Sequence, residues 1–111
     1  AASDVYKRQK EGNRAWIQFD FKNEYLISRY VVRHAGNAGL PERLNTRSFS
    51  IEVSQDGKKW TRVDIQKGNT VSVTDVDITP TSGRYVRLLI QDAGEDGIAR
   101  IGDVEIYGCR K

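Results

Sequence analysis

Three side chains could together hold a pair of neighbouring hydroxyl groups: His34, Arg47 and Arg100. A guanidinium presents a planar fork of donors, and a neutral imidazole both donates and accepts. The set therefore suits recognition of a polyhydroxylated ligand better than bond-making chemistry. Asn37 and Asn45 could add amide contacts, and Arg43 or Asp96 could close a charged rim. The competing reading is structural: His34 caps a core, the arginines bond loop carbonyls, and Asn45-Thr46 forms a turn.

For these residues to meet, distant segments must converge, and the hydrophobic pattern says how. From Trp16 onward the signal is period-two alternation in short runs bounded by turn residues, which predicts strands at about 15–21, 26–34, 47–54, 59–65, 70–78, 84–91 and 100–107. The third run is the clearest, because Phe49, Ile51 and Val53 alternate with Ser50, Glu52 and Ser54. Asp56-Gly57 supplies the pair a tight hairpin needs, and Pro80 and Gly83 punctuate the turn before the sixth run. No stretch has a helical period. The expected fold is all-β, an antiparallel, jelly-roll-like sandwich.

In such a fold successive connections fall alternately at two ends. Connections 22–25, 55–58 and 79–83 share one end and are short; 35–46, 66–69 and 92–99 share the other, and two of them are long. His34 is in phase with Tyr30 and Val32, Arg47 with Phe49 and Ile51, and Arg100 with Val104 and Ile106. All three are thereby aimed over the core at the long-loop end, where binding sites are commonly carried on a rigid scaffold.

Composition narrows the function classes. The 111 residues suit one domain, and 38% hydrophobic with 30% charged residues suits a globular chain. The net charge of +3 comes from basic and acidic residues that are interleaved, which argues against a nucleic-acid partner. No apolar run is long enough for a membrane-spanning helix. There is no P-loop, H-E-x-x-H, C-x-x-C or G-x-S-x-G motif, and one histidine with one cysteine, Cys109, leaves few parts for nucleophilic catalysis. The segment from Ala1 to Lys10 is neither periodic nor signal-like and is expected to be a non-native or disordered tail, with the domain at 11–111.

Four segments carry a family resemblance: Trp16-Ile17-Gln18-Phe19-Asp20-Phe21, Ser54-Gln55-Asp56-Gly57-Lys58-Lys59-Trp60, Arg84-Tyr85-Val86-Arg87-Leu88 and Glu105-Ile106-Tyr107-Gly108. In that order they resemble the W-I-x-V-D-L, S-x-D-G-x-x-W, R-Y-V-R-L and E-I-x-G landmarks of discoidin, or coagulation-factor C-type, domains of galactose-binding-like fold. The chain is most similar among these to bacterial family 32 carbohydrate-binding modules.

The resemblance implies a non-catalytic glycan-binding module, monomeric within a larger chain such as a secreted bacterial glycoside hydrolase or a cell-surface protein, and located outside the cell or on its surface. It also implies that Trp16 and Trp60 pack in the core, and that Glu105 belongs to a structural calcium shell in the intact family fold. The other ligands of that shell come largely from front strands that this chain is expected to lack, so no cofactor is expected with certainty. The alternative reading is a membrane-lipid or protein adhesion domain of the coagulation-factor C type, with Leu40 at a loop tip beside Arg43 and Arg47. A single leucine is a weak anchor, so a membrane is not the expected partner.

Overall fold

The computed structural model describes residues 6–11, 14–41, 45–93 and 101–110. Its elements are β1 (Tyr6–Glu11), β2 (Arg14–His34), a 3₁₀ turn (Ala35–Ala38), β3 (Ser48–Ser54), β4 (Thr61–Gln66), β5 (Val73–Asp92) and β6 (Ile101–Arg110). All pairings are antiparallel, in the order β1-β2-β5-β3-β4 with β6 also on β2.

Two pairs of expected strands are each one long strand that changes sheets at a bend. β2 and β5 pair along their lengths, from Ala15↔Ile90 to Arg33↔Val73, with register shifts between Asp20 and Tyr25 and between Ile27 and Arg29. At the first shift β2 carries the surplus residues, and Lys22 takes a positive φ of 69° there while its N–H bonds Asp20 Oδ1 at 2.9 Å. At the second the surplus lies in β5 around Pro80, which suits a residue that cannot donate to a ladder. The expected turn before Arg84 is therefore a bulge within a strand.

The bends divide the sheet into two layers. One holds β1, the first half of β2, the second half of β5, β3 and β4; the other holds the first half of β5, the second half of β2, and β6. Their inner faces meet in one core: Ile17, Phe19 and Phe21, then Phe49, Ile51 and Val53, then Val86, Leu88 and Ile90 from the first layer, against Tyr30, Val32, Val104 and Ile106 from the second. The Tyr30 and Phe49 rings close the gap edge to face, with centroids 6.2 Å apart. Burial of these apolar side chains is the dominant favourable term for such a fold.

Two expectations need correction. Residues 6–10 of the supposed tail lie in β1, where Tyr6 to Glu11 pair with Phe19 to Arg14 and satisfy backbone groups that β2 would otherwise present as an open edge. The tryptophans lie outside the core. Trp16 is out of phase with Ile17 and Phe19 and is half-buried on the outer face opposite Leu89. Trp60, also half-buried, lies under the Arg87 guanidinium at 4.2 Å and meets the Tyr85 ring at 6.5 Å, while Arg87 is paired with Glu52 at 2.6 Å. The indole serves as a platform for cation–π contact.

Candidate functional site

The long-loop end is held together by amide side chains bonding to backbone. Asn45, only 2% exposed, accepts the Gly36 N–H on Oδ1 at 2.6 Å and donates from Nδ2 to the Val71 carbonyl and to Ser72 Oγ, each at 3.3 Å. Asn69 donates from Nδ2 to the Thr46 and Val71 carbonyls at 3.0 and 3.1 Å. Backbone bonds complete the ties: His34 N–H to Ser72 O at 2.8 Å, Arg47 N–H to Asp92 O at 2.9 Å, and Asn69 N–H to Arg47 O at 2.7 Å. The connections after β2 and β4 and the end of β5 thus form one rigid rim, at the end that strand parity assigns to them.

His34 lies beneath this rim with no solvent exposure, against Phe49 at a ring-centroid distance of 5.6 Å, and its Nε2 is 2.8 Å from Thr74 Oγ1. Burial lowers its pKa below the ordinary histidine value. His34 and Asn45 consequently position the loops from below, whereas Asn37 and Arg47 are exposed at the surface. Among the described residues the Arg47 guanidinium has no hydrogen-bond or ion-pair partner. Leu40 and Val71 are exposed at the same end, at 46% and 52%. Arg43, Asp96 and Arg100 lie outside the described residues.

Asn69, Ser72 and Thr74 are additional members that the sequence reading missed. Their role is to bond carbonyls and hydroxyls across loops, and such contacts leave no spacing in the sequence; the one available signal was their position in the turn leading into β5.

Glu105 is on the outer face of the second layer. The Tyr107 hydroxyl and the Arg33 guanidinium both donate to its carboxylate and hold its pKa below the ordinary value. A calcium ion takes six to eight oxygen ligands. Both Glu105 oxygens are already engaged, one by a cation, and among the described residues no group of three or more acidic, His or Cys side chains could hold a metal. These residues do not fit a calcium shell.

The opposite end is closed by the 55–59 turn. Asp56 Oδ1 accepts from the Lys58 and Lys59 N–H groups at 2.8 and 2.9 Å, Ser54 Oγ accepts from Gly57 N–H at 2.8 Å, and Gly57 takes a φ of 77°. An open cleft of about 270 Å³ lies beside this turn, lined by Gln55, Asp56, Lys59, Thr61 and Thr81 among others.

The F5/8 type C domain model matches residues 3–104. The chain belongs to the F5/8 type C domain family. The family is non-catalytic, which agrees with the absence of enzyme motifs in the sequence.

Solved structures share the fold at low identity. The family 32 carbohydrate-binding module from Streptococcus pneumoniae EndoD aligns with a TM-score of 0.76 at 22% identity, over 85% of this chain and 69% of that one. A Clostridium perfringens module, CpGH89CBM32-5, in complex with GalNAc-β-1,3-galactose, aligns with a TM-score of 0.75 at 15% identity, over 93% and 75%. Chitosan-binding module 1 of a chitosanase/glucanase from Paenibacillus sp. IK-5 gives 0.70 at 20% identity, over 96% and 79%. No curated protein matches the chain in sequence. These likenesses identify the fold as the galactose-binding-like sandwich.

Proposed function

We propose that this F5/8 type C domain is a carbohydrate-binding module that holds a glycan at the long-loop end. The observation that carries the reading is the cross-tied rim: Asn45 and Asn69 tie the 35–47 and 67–72 connections together, the Arg47 N–H ties them to the end of β5, and Asn37 and the Arg47 guanidinium, unpaired among the described residues, are left exposed. The guanidinium is a planar fork of donors that matches paired hydroxyls, and the tied backbone beneath it limits the ordering cost of binding to the side chain itself. Arg43, Asp96 and Arg100 belong to the same long connections and join the contact set in this reading. The glycan-binding names of the structural neighbours support the ligand class.

In its parent chain the module acts as a monomeric anchor outside the cell, tethered to a secreted bacterial glycoside hydrolase or surface protein and raising the effective concentration of that partner at its substrate. Exposed Leu40 and Val71 favour the second reading, a lipid-adhesion surface.

A glycan array that includes galactose-, N-acetylgalactosamine- and glucosamine-terminated chains, run beside sedimentation with anionic liposomes, separates the two. Retention on glycans without liposome binding is expected. Liposome binding with a blank array overturns the proposal.

A further inference from the structure

The hydrogen bonds around His34 fix its tautomer. Asn69 Nδ2 faces two carbonyls, of Thr46 and Val71, so it must be the donor end of that amide and Oδ1 the acceptor end. The Thr74 hydroxyl donates to Asn69 Oδ1 at 3.2 Å, which spends its one proton. Thr74 Oγ1 must then accept from the imidazole, and the Nε2 atom 2.8 Å away carries the hydrogen. In the neutral ring Nδ1 therefore carries the lone pair, buried and without a hydrogen-bond partner among the described residues. A proton taken up by His34 must go to Nδ1, where it creates a cationic N–H with no acceptor among the described residues.

Among the described residues no surrounding charge offsets that cost. On β2, Arg33 turns outward to Asp103 and Glu105 of β6, and Tyr30 donates its hydroxyl to Asp64 of β4. On β5, Asp75 is paired with Arg29 at 2.6 Å on the outer face, and Asp77 and Asp92 are exposed. On the connections, Arg47 and Lys67 are exposed. The register partner of His34 on β6 is Ile101, and its ring neighbour on β3 is Phe49.

We propose that His34 is an acid-release switch for the loop end: protonation at Nδ1 expels the imidazole from its pocket, breaks the His34–Thr74–Asn69 chain and frees the loops with any ligand they hold. The ligand clause rests on the glycan-binding reading above; the loop clause does not. The sign follows from linkage. Burial lowers the folded-state pKa below the unfolded value of 6.5, so the closed state is fully favoured above that pH and weakens as pH falls through and below it. One proton gives at most about a tenfold change in the closing equilibrium per pH unit.

His34 is the only histidine, so its ring resonances are unambiguous. The test is an NMR titration from pH 7.5 to about 4.5, above the range of most carboxylates, following the His34 ring together with the amides of Gly36, Asn45 and Asn69. We expect Nδ1 to be the bare nitrogen at neutral pH, the ring to titrate below 6.5, and the three amides to shift or broaden with the same midpoint. His34→Gln keeps a donor for Thr74 and cannot titrate in this range, so its amides should stay flat. Titration of the wild-type ring at or above the free value, or amides that respond identically in His34→Gln, overturns the switch. If His34→Gln does not fold, the wild-type titration decides. Glycan affinity measured over the same range should fall with the same midpoint. Absence of glycan binding at every pH counts against the glycan reading, while the amide titration still decides the switch.

Discussion

Asn45 Oδ1 accepts the backbone N–H of Gly36 at 2.6 Å, and this one bond pins the turn after β2 to the approach to β3. Asn45→Ala removes it together with both Nδ2 contacts, taking the Asn45 acceptor from the Gly36 N–H while the Val71 carbonyl keeps the Asn69 donor. A loss of about 1–3 kcal/mol is expected by chemical denaturation. Asn45→Asp keeps the acceptor, loses the donors and buries a charge, so it should be no better tolerated. Changes under about 0.5 kcal/mol for both would show that the rim is held by other means.

Two glycines make contrasting predictions. A Cβ on Gly108 would collide with the Leu26 carbonyl, a backbone atom that cannot yield without opening the β2–β6 ladder, whereas a Cβ on Gly83 would collide with the Val53 side chain. Both alanine variants should be destabilised by roughly 1–3 kcal/mol. Val53→Ala should partly rescue Gly83→Ala in a double-mutant cycle and leave the Gly108→Ala penalty unchanged. Additivity at Gly83 and Val53 would contradict the packing described.

Asp56 sets part of the acid limit. Hydrogen bonds from the Lys59 and Lys58 N–H groups hold its pKa down at about 2, against an unfolded value of 3.8. A carboxylate depressed in this way contributes stability above the unfolded pKa, and that contribution is lost as pH falls through the folded one. The stability gap between wild type and Asp56→Ala should therefore be constant above about pH 5 and shrink steadily towards pH 2. A gap independent of pH over that window would exclude the turn's hydrogen bonds as its cause.

Because the Glu105 oxygens are taken by Tyr107 and Arg33, chelation should leave thermal stability nearly unchanged. A fall in Tm of more than about 10 °C on adding EDTA, larger than a one-kcal/mol effect for a domain of this size, would reveal an ion site.

The layers and the loop-bearing end were legible in the sequence because side-chain phase is a local property: Phe49, Ile51 and Val53 can face a core in only one way, and parity then assigns every connection to an end. Strand continuity was not legible, since Lys22 and Pro80 look like turn residues whether the chain reverses or merely bulges. Trp60 misled for a related reason. The family resemblance implies a core position for it, yet Arg87, anchored by Glu52, covers it on the outer face, and such stacking depends on neighbours distant in sequence. At the site, phase aimed His34 inward correctly but could not show how deep it lies, because depth is set by Phe49 and Thr74 from other strands.

Placement of the ligand at the long-loop end of the sandwich is directly measurable. A glycan selected on the array should be titrated into labelled protein and the perturbed amides mapped, with Arg47→Ala and Asn37→Ala measured in parallel by calorimetry. Perturbations should be confined to residues 35–47 and 67–72 and the end of β5. Arg47→Ala should lose about five- to a hundred-fold in affinity, the range for removing one partner of a ligand hydrogen bond. Perturbations centred on Gln55, Asp56, Lys59 and Thr81 at the opposite end, with affinity unchanged in both variants, would contradict that placement.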